Sequence, residues 1–235
     1  MLVKVDFKGL EWVAAGFLSQ DKRIIQEVAD GYDQHAGNQQ ALGLPTRLVA
    51  KTFLFRIIYG GTEFSNDPDF ADVRPNSKRA WEDRIWRFYN RYNGLKKWHD
   101  RIWQDAQEGK VYTSPTGREY SYPRYKDGPH RPQVLNYPVQ GLGHDIVKLA
   151  RTNLFRVFNG RADVKLINTV HDDLVFDCTE ESWYNVCIEI EKVFQTVPDL
   201  FEQAYKVPFN LVIRGEISYG LNLGDMTEWH TNTSA

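Results

Sequence analysis

Residues 2–7 alternate apolar and polar positions, which predicts a strand, and the apolar run at 12–18 predicts a short helix behind it. An amphipathic helix follows over 21–29. Pro45-Thr46 opens a longer helix that runs through Tyr59 and stops at Gly60-Gly61. Residues 62–76 carry no periodicity and read as loop. Helical spacing returns over 77–107, dense in charged and aromatic residues, with a break at Asn93-Gly94 that divides it in two. Residues 111–122, turning at Ser114-Pro115-Thr116-Gly117, predict a hairpin, and 139–158 predict a long helix. Residues 165–170 and 174–176 are β-rich and flank a polar tip, His171-Asp172-Asp173; a helix over 181–205 and a last strand over 209–217 complete the chain. Strands therefore lie near both ends, with about a hundred mostly helical residues between them. The pattern predicts an α+β fold: an antiparallel sheet backed by helices, with a helical subdomain projecting from it.

Composition adds limits. The 235 residues are 42% hydrophobic, 26% charged and 14% aromatic, which suits a globular unit with a sizeable core and excludes disordered, collagen-like and coiled-coil classes. The formal net charge of -2 conceals an asymmetry: 74–131 hold 14 Lys/Arg against 7 Asp/Glu, whereas 172–202 hold 9 Asp/Glu against Lys192 alone. A basic middle suggests a surface that faces a polyanion. Cys178 and Cys187 have no second pair beside them, so a disulfide framework and a zinc cluster are both unexpected. No apolar run approaches a membrane span, and Asp6 and Glu11 interrupt the N-terminal apolar stretch; a cytoplasmic protein with no membrane partner is expected.

Two constellations carry chemistry. Asp6, Asp172 and Asp173 sit at strand ends or turns, where a single Asp is ordinarily a cap or turn residue. If the first strand and the late hairpin are neighbours in one sheet, Asp6 and Asp172 share a space although 166 residues separate them, and two hard cations could be bridged there. The second constellation is Arg47, Lys51, Phe55 and Tyr59, spaced by four along one stripe of a helix. Two cations followed by two aromatics could hold a triphosphate and offer flat surfaces to a base.

Three segments, Val5-Asp-Phe-Lys-Gly-Leu-Glu11, Arg47-x3-Lys51-x3-Phe55-x3-Tyr59-Gly60 and Val170-His-Asp-Asp-Leu-Val175, resemble in order and separation the three polymerase motifs of the family A DNA polymerases. Asn136-x3-Gln140-Gly141 resembles the opening of that family's minor-groove-reading palm helix. Residues 87–94 and 109–118 resemble its fingers, and Gly43-Leu-Pro-Thr-Arg47 has a phage-like wording.

The resemblance implies a palm over 1–20 and 136–235, and fingers over 21–135. It implies template-directed addition of dNTPs to a primer on primer–template DNA, with two Mg²⁺ or Mn²⁺ ions. Asp6, the Phe7 carbonyl and Asp172 would bind metal, with Asp173 secondary because a Glu is usual there. Glu11 would be the steric gate against the ribose 2′-hydroxyl. Arg47, Lys51 and His35 would hold the triphosphate, Lys51 also protonating the leaving pyrophosphate. Phe55 would pack under the sugar and Tyr59 near the templating base; Asn136 and Gln140 would contact the duplex and His171 the primer terminus. Lys8 is expected to point away from Asp6. Met1 stands five residues before Asp6, so the thumb and exonuclease of the family are expected on a separate N-terminal polypeptide, as in a split polymerase, with a truncated chain or an incomplete gene as the competing explanation. A non-catalytic nucleic-acid-binding remnant and a metal-dependent nuclease or phosphatase are the competing readings; intact Asp6, Asp172, Arg47 and Lys51 oppose the first, and the cation–aromatic stripe opposes the second.

Overall fold

The computed structural model describes residues 1–64, 71, 73–123 and 128–230, and its chain divides into two compact units, 1–10 with 142–235 and 11–141.

In the first unit, β1 (Leu2–Phe7) lies at the centre of a five-stranded antiparallel sheet. It pairs on one side with β5 (Asp173–Cys178) and on the other with β6 (Gly215–Asn222), while β4 (Val164–Val170) and β7 (Asp225–Glu228) take the edges. Val3, Val5 and Phe7 are buried on one face and Leu2, Lys4 and Asp6 are half-buried on the other, the period of two that sorts a strand's side chains. The buried face packs against α8 (Trp183–Tyr205), whose Val186, Ile190, Val193, Phe194 and Val197 form an apolar stripe; the Phe7 and Phe194 rings lie 4.5 Å apart. Gly9, at φ 60°, turns the chain out of β1 in the left-handed region that other residues adopt only with strain.

The last strand differs from the sequence expectation. Phe209, Leu211 and Ile213 alternate and are buried, but 209–214 join no ladder; β6 begins at Gly215, where a Cβ would meet Val5 Cγ2 at 2.6 Å, and turns back as β7. The apolar alternation marks burial alone, whereas the paired segment is the more polar one that follows.

The second unit is helical. Its helices are α1 (Leu10–Ser19, its first residue in the sheet unit), α2 (Lys22–Ala29), α3 (Gln34–Leu42), α4 (Arg47–Ile58), α5 (Lys78–Arg91) and α6 (Asn93–Gln107). A small hairpin of β2 (Tyr112–Thr113) and β3 (Glu119–Tyr120) follows, and then α7 (Arg131–Phe158), whose later part belongs to the sheet unit. Its core is aromatic: Phe53 meets Trp81 and Phe88 edge-on at 5.4 and 5.7 Å, and Tyr92 packs against Phe88 at 5.0 Å and Trp12 at 4.9 Å. Of the aromatics in the basic segment, Trp81, Tyr89, Tyr92 and Trp98 are core, Trp86 is exposed, and Trp103 lies under the Arg131 guanidinium at 5.4 Å.

Asp21 organises this unit. Its buried carboxylate accepts from Arg23 N and Ile24 N at the start of α2 through Oδ1, at 3.0 and 3.2 Å, and from Gly94 N and Leu95 N at the start of α6 through Oδ2, at 2.7 and 3.1 Å. One side chain thus caps two helices and satisfies four backbone donors. Gly94 allows the approach, since a Cβ there would stand 2.7 Å from Asp21 Cα.

Candidate active site

Asp6 leaves β1 on the face opposite α8. Asp172 sits beside it in sequence-distant fashion: Val170 pairs with Asp173 across β4 and β5, so His171 and Asp172 form a two-residue turn, with His171 at φ 54°. Asp173 is the first residue of β5, not part of the tip. Because β5 and β1 pair through Val5 and Leu174, the tip lies next to the end of β1 where Asp6 stands. The electrostatics record this proximity. The Asp6 carboxyl is pushed up to about 6, first by burial and then by the charges of Asp172, Asp173 and Glu216, against the opposing pull of Lys4.

Lys4 and Glu216 are the residues that the sequence reading missed. Lys4 is two residues before Asp6, hence on its face, and its Nζ lies 3.3 Å from Asp173 Oδ1. Glu216 is the cross-strand partner of Asp6 in the β1–β6 ladder. Lys8, beyond the end of β1, directs its Nζ to Glu216 at 3.1 Å. The period of two would have placed Lys4 here; Glu216 lay inside the expected last strand, but its pairing with Asp6 is a long-range contact that no local pattern carries.

Among the described residues no three His, Cys, Asp or Glu side chains converge to cage an ion. The donor set nevertheless fits a hard divalent cation: two or three carboxylates that repel one another, on a half-buried face, match ions that take one or two protein carboxylates and fill the remaining positions with water and substrate phosphate.

In the helical unit, Thr46 caps α4 by accepting from Val49 N at 3.1 Å, and Ala50, Phe53, Leu54, Ile57 and Ile58 bury one face. The stripe of Arg47, Lys51, Phe55 and Tyr59 is offset from that buried face. Its cations are exposed and its aromatics half-buried, so core packing does not account for the aromatics. Lys51 Nζ stands 5.9 Å from the Phe55 ring centre, and Phe55 and Tyr59 rings are 5.9 Å apart. His35, buried in α3, faces Phe55 at 6.1 Å; burial, with Arg47 and Lys51 nearby, pushes its imidazole down to about 4, so it is neutral at pH 7. The sequence pattern gave no α3, because Gln34–Leu42 lacks an apolar stripe. Its end signals were present: Asp33 accepts from His35 N and Ala36 N, and Gly43 closes the helix at φ 64°.

Gln140 and Asn136, one turn apart on α7, lie on a common stripe, and Gln140 Nε2 donates to Tyr59 Oη at 2.8 Å. Asn136 Oδ1 is buried and lacks a partner among the described residues. This helix begins at Arg131, eight residues before the expected start, and carries Pro138 inside it. Glu11 is half-buried in the first turn of α1, and His171 is exposed at the hairpin tip. The structure thus groups Asp6, Asp172 and Asp173 in one unit, and His35, Arg47, Lys51, Phe55, Tyr59 and Gln140 in the other.

The chain is 24% identical over 239 residues to DNA polymerase I of Geobacillus stearothermophilus, covering 94% of this chain and 25% of that protein. It is 26% identical over 223 residues to DNA polymerase I of Aquifex aeolicus, covering 88% and 38%. It thus spans about a quarter to two-fifths of the length of these relatives. Its fold is that of the Pol domain of Pol1 from M. smegmatis, solved in complex with DNA primer-template and dNTP: the TM-score is 0.71 at 22% identity, over 93% of this chain and 39% of the other. No helix among the described residues is long and apolar enough to cross a membrane. The family model of DNA polymerase family A matches residues 1–225, and the chain belongs to that family.

Proposed function

We propose that this chain is the palm and fingers of a DNA-directed DNA polymerase and adds dNTPs to a primer 3′-hydroxyl. The observation that carries the reading is that Asp6 near the end of β1 and Asp172 in the turn that leads into the neighbouring β5 come close enough for their charges to oppose one another. Asp6, Asp172 and the Phe7 carbonyl would hold two Mg²⁺ or Mn²⁺ ions, with Asp173 in support. When bound, such ions make the attacking oxygen a better nucleophile and stabilise the leaving one.

The remaining roles belong to the chain's own side chains. Arg47 and Lys51, exposed on one stripe of α4, bind the triphosphate oxygens, and neutral His35 contributes a hydrogen bond without adding charge. The primer 3′-hydroxyl gives up its proton to solvent water and its oxygen bonds to the α-phosphorus as the bond to pyrophosphate breaks, and Lys51 Nζ delivers a proton to that leaving group. Phe55 packs under the sugar and Tyr59, held by Gln140, stacks near the templating base. Gln140 and Asn136 contact the duplex, and His171 the primer end. Glu11 excludes the ribose 2′-hydroxyl.

In this reading residues 1–20 and 136–235 form the palm and 21–135 the fingers. Thumb and exonuclease functions come from a further polypeptide segment, in trans if the polymerase is split, and the wording at Gly43–Arg47 supports a phage-type member. DNA and dNTPs place the work in a bacterial or phage-infected cytoplasm. Incubating labelled primer–template with Mg²⁺, with and without dNTPs, tests the reading. Extension only with dNTPs, slow alone and faster when a candidate thumb-bearing polypeptide is added, is expected; degradation without dNTPs, or no reaction with any such partner, overturns it.

A further inference from the structure

A cleft of about 540 Å³ opens in the helical unit where α2 and α6 begin, and it shares no residue with the Arg47–Tyr59 stripe. Lys22, Arg23, Arg91, Lys97 and Arg101 line it, with Asp21 the acidic residue among its walls. Asp21 is fully engaged by four backbone N–H groups. Arg23 and Arg91 are both committed to Glu27, each at 2.9 Å. Lys22, Lys97 and Arg101 have no carboxylate partner among the described residues.

These three cations stand where they weaken the fold. The first turn of a helix favours acidic side chains, yet α2 opens on Lys22-Arg23 and neither α2 nor α6 has an acidic residue in its first turn. Lys97 and Arg101 are four apart on α6 and face the same cleft, a like-charge pair that costs helix stability. Asp21 already takes two first-turn donors at each of the two helix starts, so the cleft's attraction for an anion rests on the side-chain cations. What remains is a concave surface with about three uncompensated positive charges, large enough for more than one phosphate.

The geometry points to this cleft as a second phosphate-binding site, one that takes the backbone of a single DNA strand away from the nucleotide-binding helix. It rests on the polymerase reading for the identity of the strand. The site acts by charge and shape, so it should be indifferent to base sequence.

The test is fluorescence anisotropy of a labelled single-stranded oligonucleotide across a salt series. Each lost phosphate contact lowers the slope of log affinity against log salt by about 0.7. The double variant K97A/R101A should therefore lower the slope by about 1.4, and K22A by about 0.7, at unchanged circular dichroism. Lys96, paired to Asp100 at 2.6 Å, is the control, and K96A should leave the slope in place. Binding by the wild type with an unchanged slope in K97A/R101A overturns the cleft alone. No DNA binding by the wild type overturns the polymerase reading together with it. Titration with inorganic phosphate and pyrophosphate separates the sources: saturable binding lost in K97A/R101A, with oligonucleotide affinity unaffected, makes it a free-anion site and overturns the strand assignment.

Discussion

Arg47 Nε donates to Asp33 Oδ2 at 2.7 Å, so the first cation of the Arg47–Tyr59 stripe is held by the residue that caps α3. Arg47 in turn holds the Asp33 carboxyl below the usual range, against the effect of burial. A triphosphate bound as proposed would compete with this contact for the guanidinium. Asn caps helices as well as Asp does but carries no charge. D33N is therefore expected to keep the melting temperature close to wild type and to lower the KM for dNTPs several-fold. D33A should show the same KM effect with a loss of about 1 kcal/mol in stability. Steady-state extension kinetics and thermal melts check both.

The carboxylates around Asp6 oppose one another in the absence of a cation. Because the folded Asp6 pKa is raised, its charge costs stability above the unfolded value, and neutralising it removes that cost. D6N should unfold at higher denaturant than wild type in chelator, by about 1 kcal/mol once solvent screening at this half-buried site is allowed for. Adding Mg²⁺ should stabilise the wild type and leave D6N and D172N unmoved. Both variants should lose primer extension by at least about a hundredfold, because in the proposed function each carboxylate holds a metal ion.

Asp21 and Gly94, outside the candidate site, are expected to contribute to the stability of the helical unit. D21A leaves four backbone donors at two helix starts without an acceptor, and a loss of about 2–4 kcal/mol is expected. D21N keeps one acceptor oxygen and should lose about half as much. G94A should be destabilising for the steric reason given by its 2.7 Å approach to Asp21. Urea denaturation gives all three values.

His99 is one of the groups expected to cost the fold stability in acid. Its imidazole is fully buried with Nδ1 3.0 Å from Tyr89 Oη, and burial, aided by Arg131 and Lys96, pushes it down to about 3. As pH falls below the ordinary value of about 6.5, the unfolded chain takes up a proton that the folded chain refuses. Stability should therefore be lost on acidification towards pH 3, by about 1.4 kcal/mol per pH unit at the steepest. Melts from pH 8 to pH 5 should show the slope in the wild type and a shallower one in H99Q, where His35 still contributes in the same direction.

Much of this was legible in the sequence because period and punctuation agreed. Asp21, Thr46 and Ser77 are the caps of helices whose starts were read to within one or two residues. Asn93-Gly94 marks the α5–α6 break because Asp21 needs a small residue there. Legibility failed where tertiary context replaced pattern. Polar α3 has caps but no stripe, α7 runs through Pro138, and the β6–β7 hairpin follows a buried segment that is more strand-like than itself. At the candidate site the acidic and basic residues were readable as types and spacings. The hold of Asp33 on Arg47, and of Lys4 on Asp173, depends on which elements meet, which no local window contains.

The central place of β1 also shapes how this unit can fold. Both of its ladder partners are encoded far downstream, β5 by about 170 residues and β6 further still. At ordinary synthesis rates of roughly 5–20 residues per second, this central strand emerges with both edges open for on the order of ten to thirty seconds. Long-range closure of this kind is slow and leaves an unpaired strand open to other chains. Recombinant yield of the soluble chain should consequently be governed by growth temperature and chaperone supply more than by the stability of the finished fold.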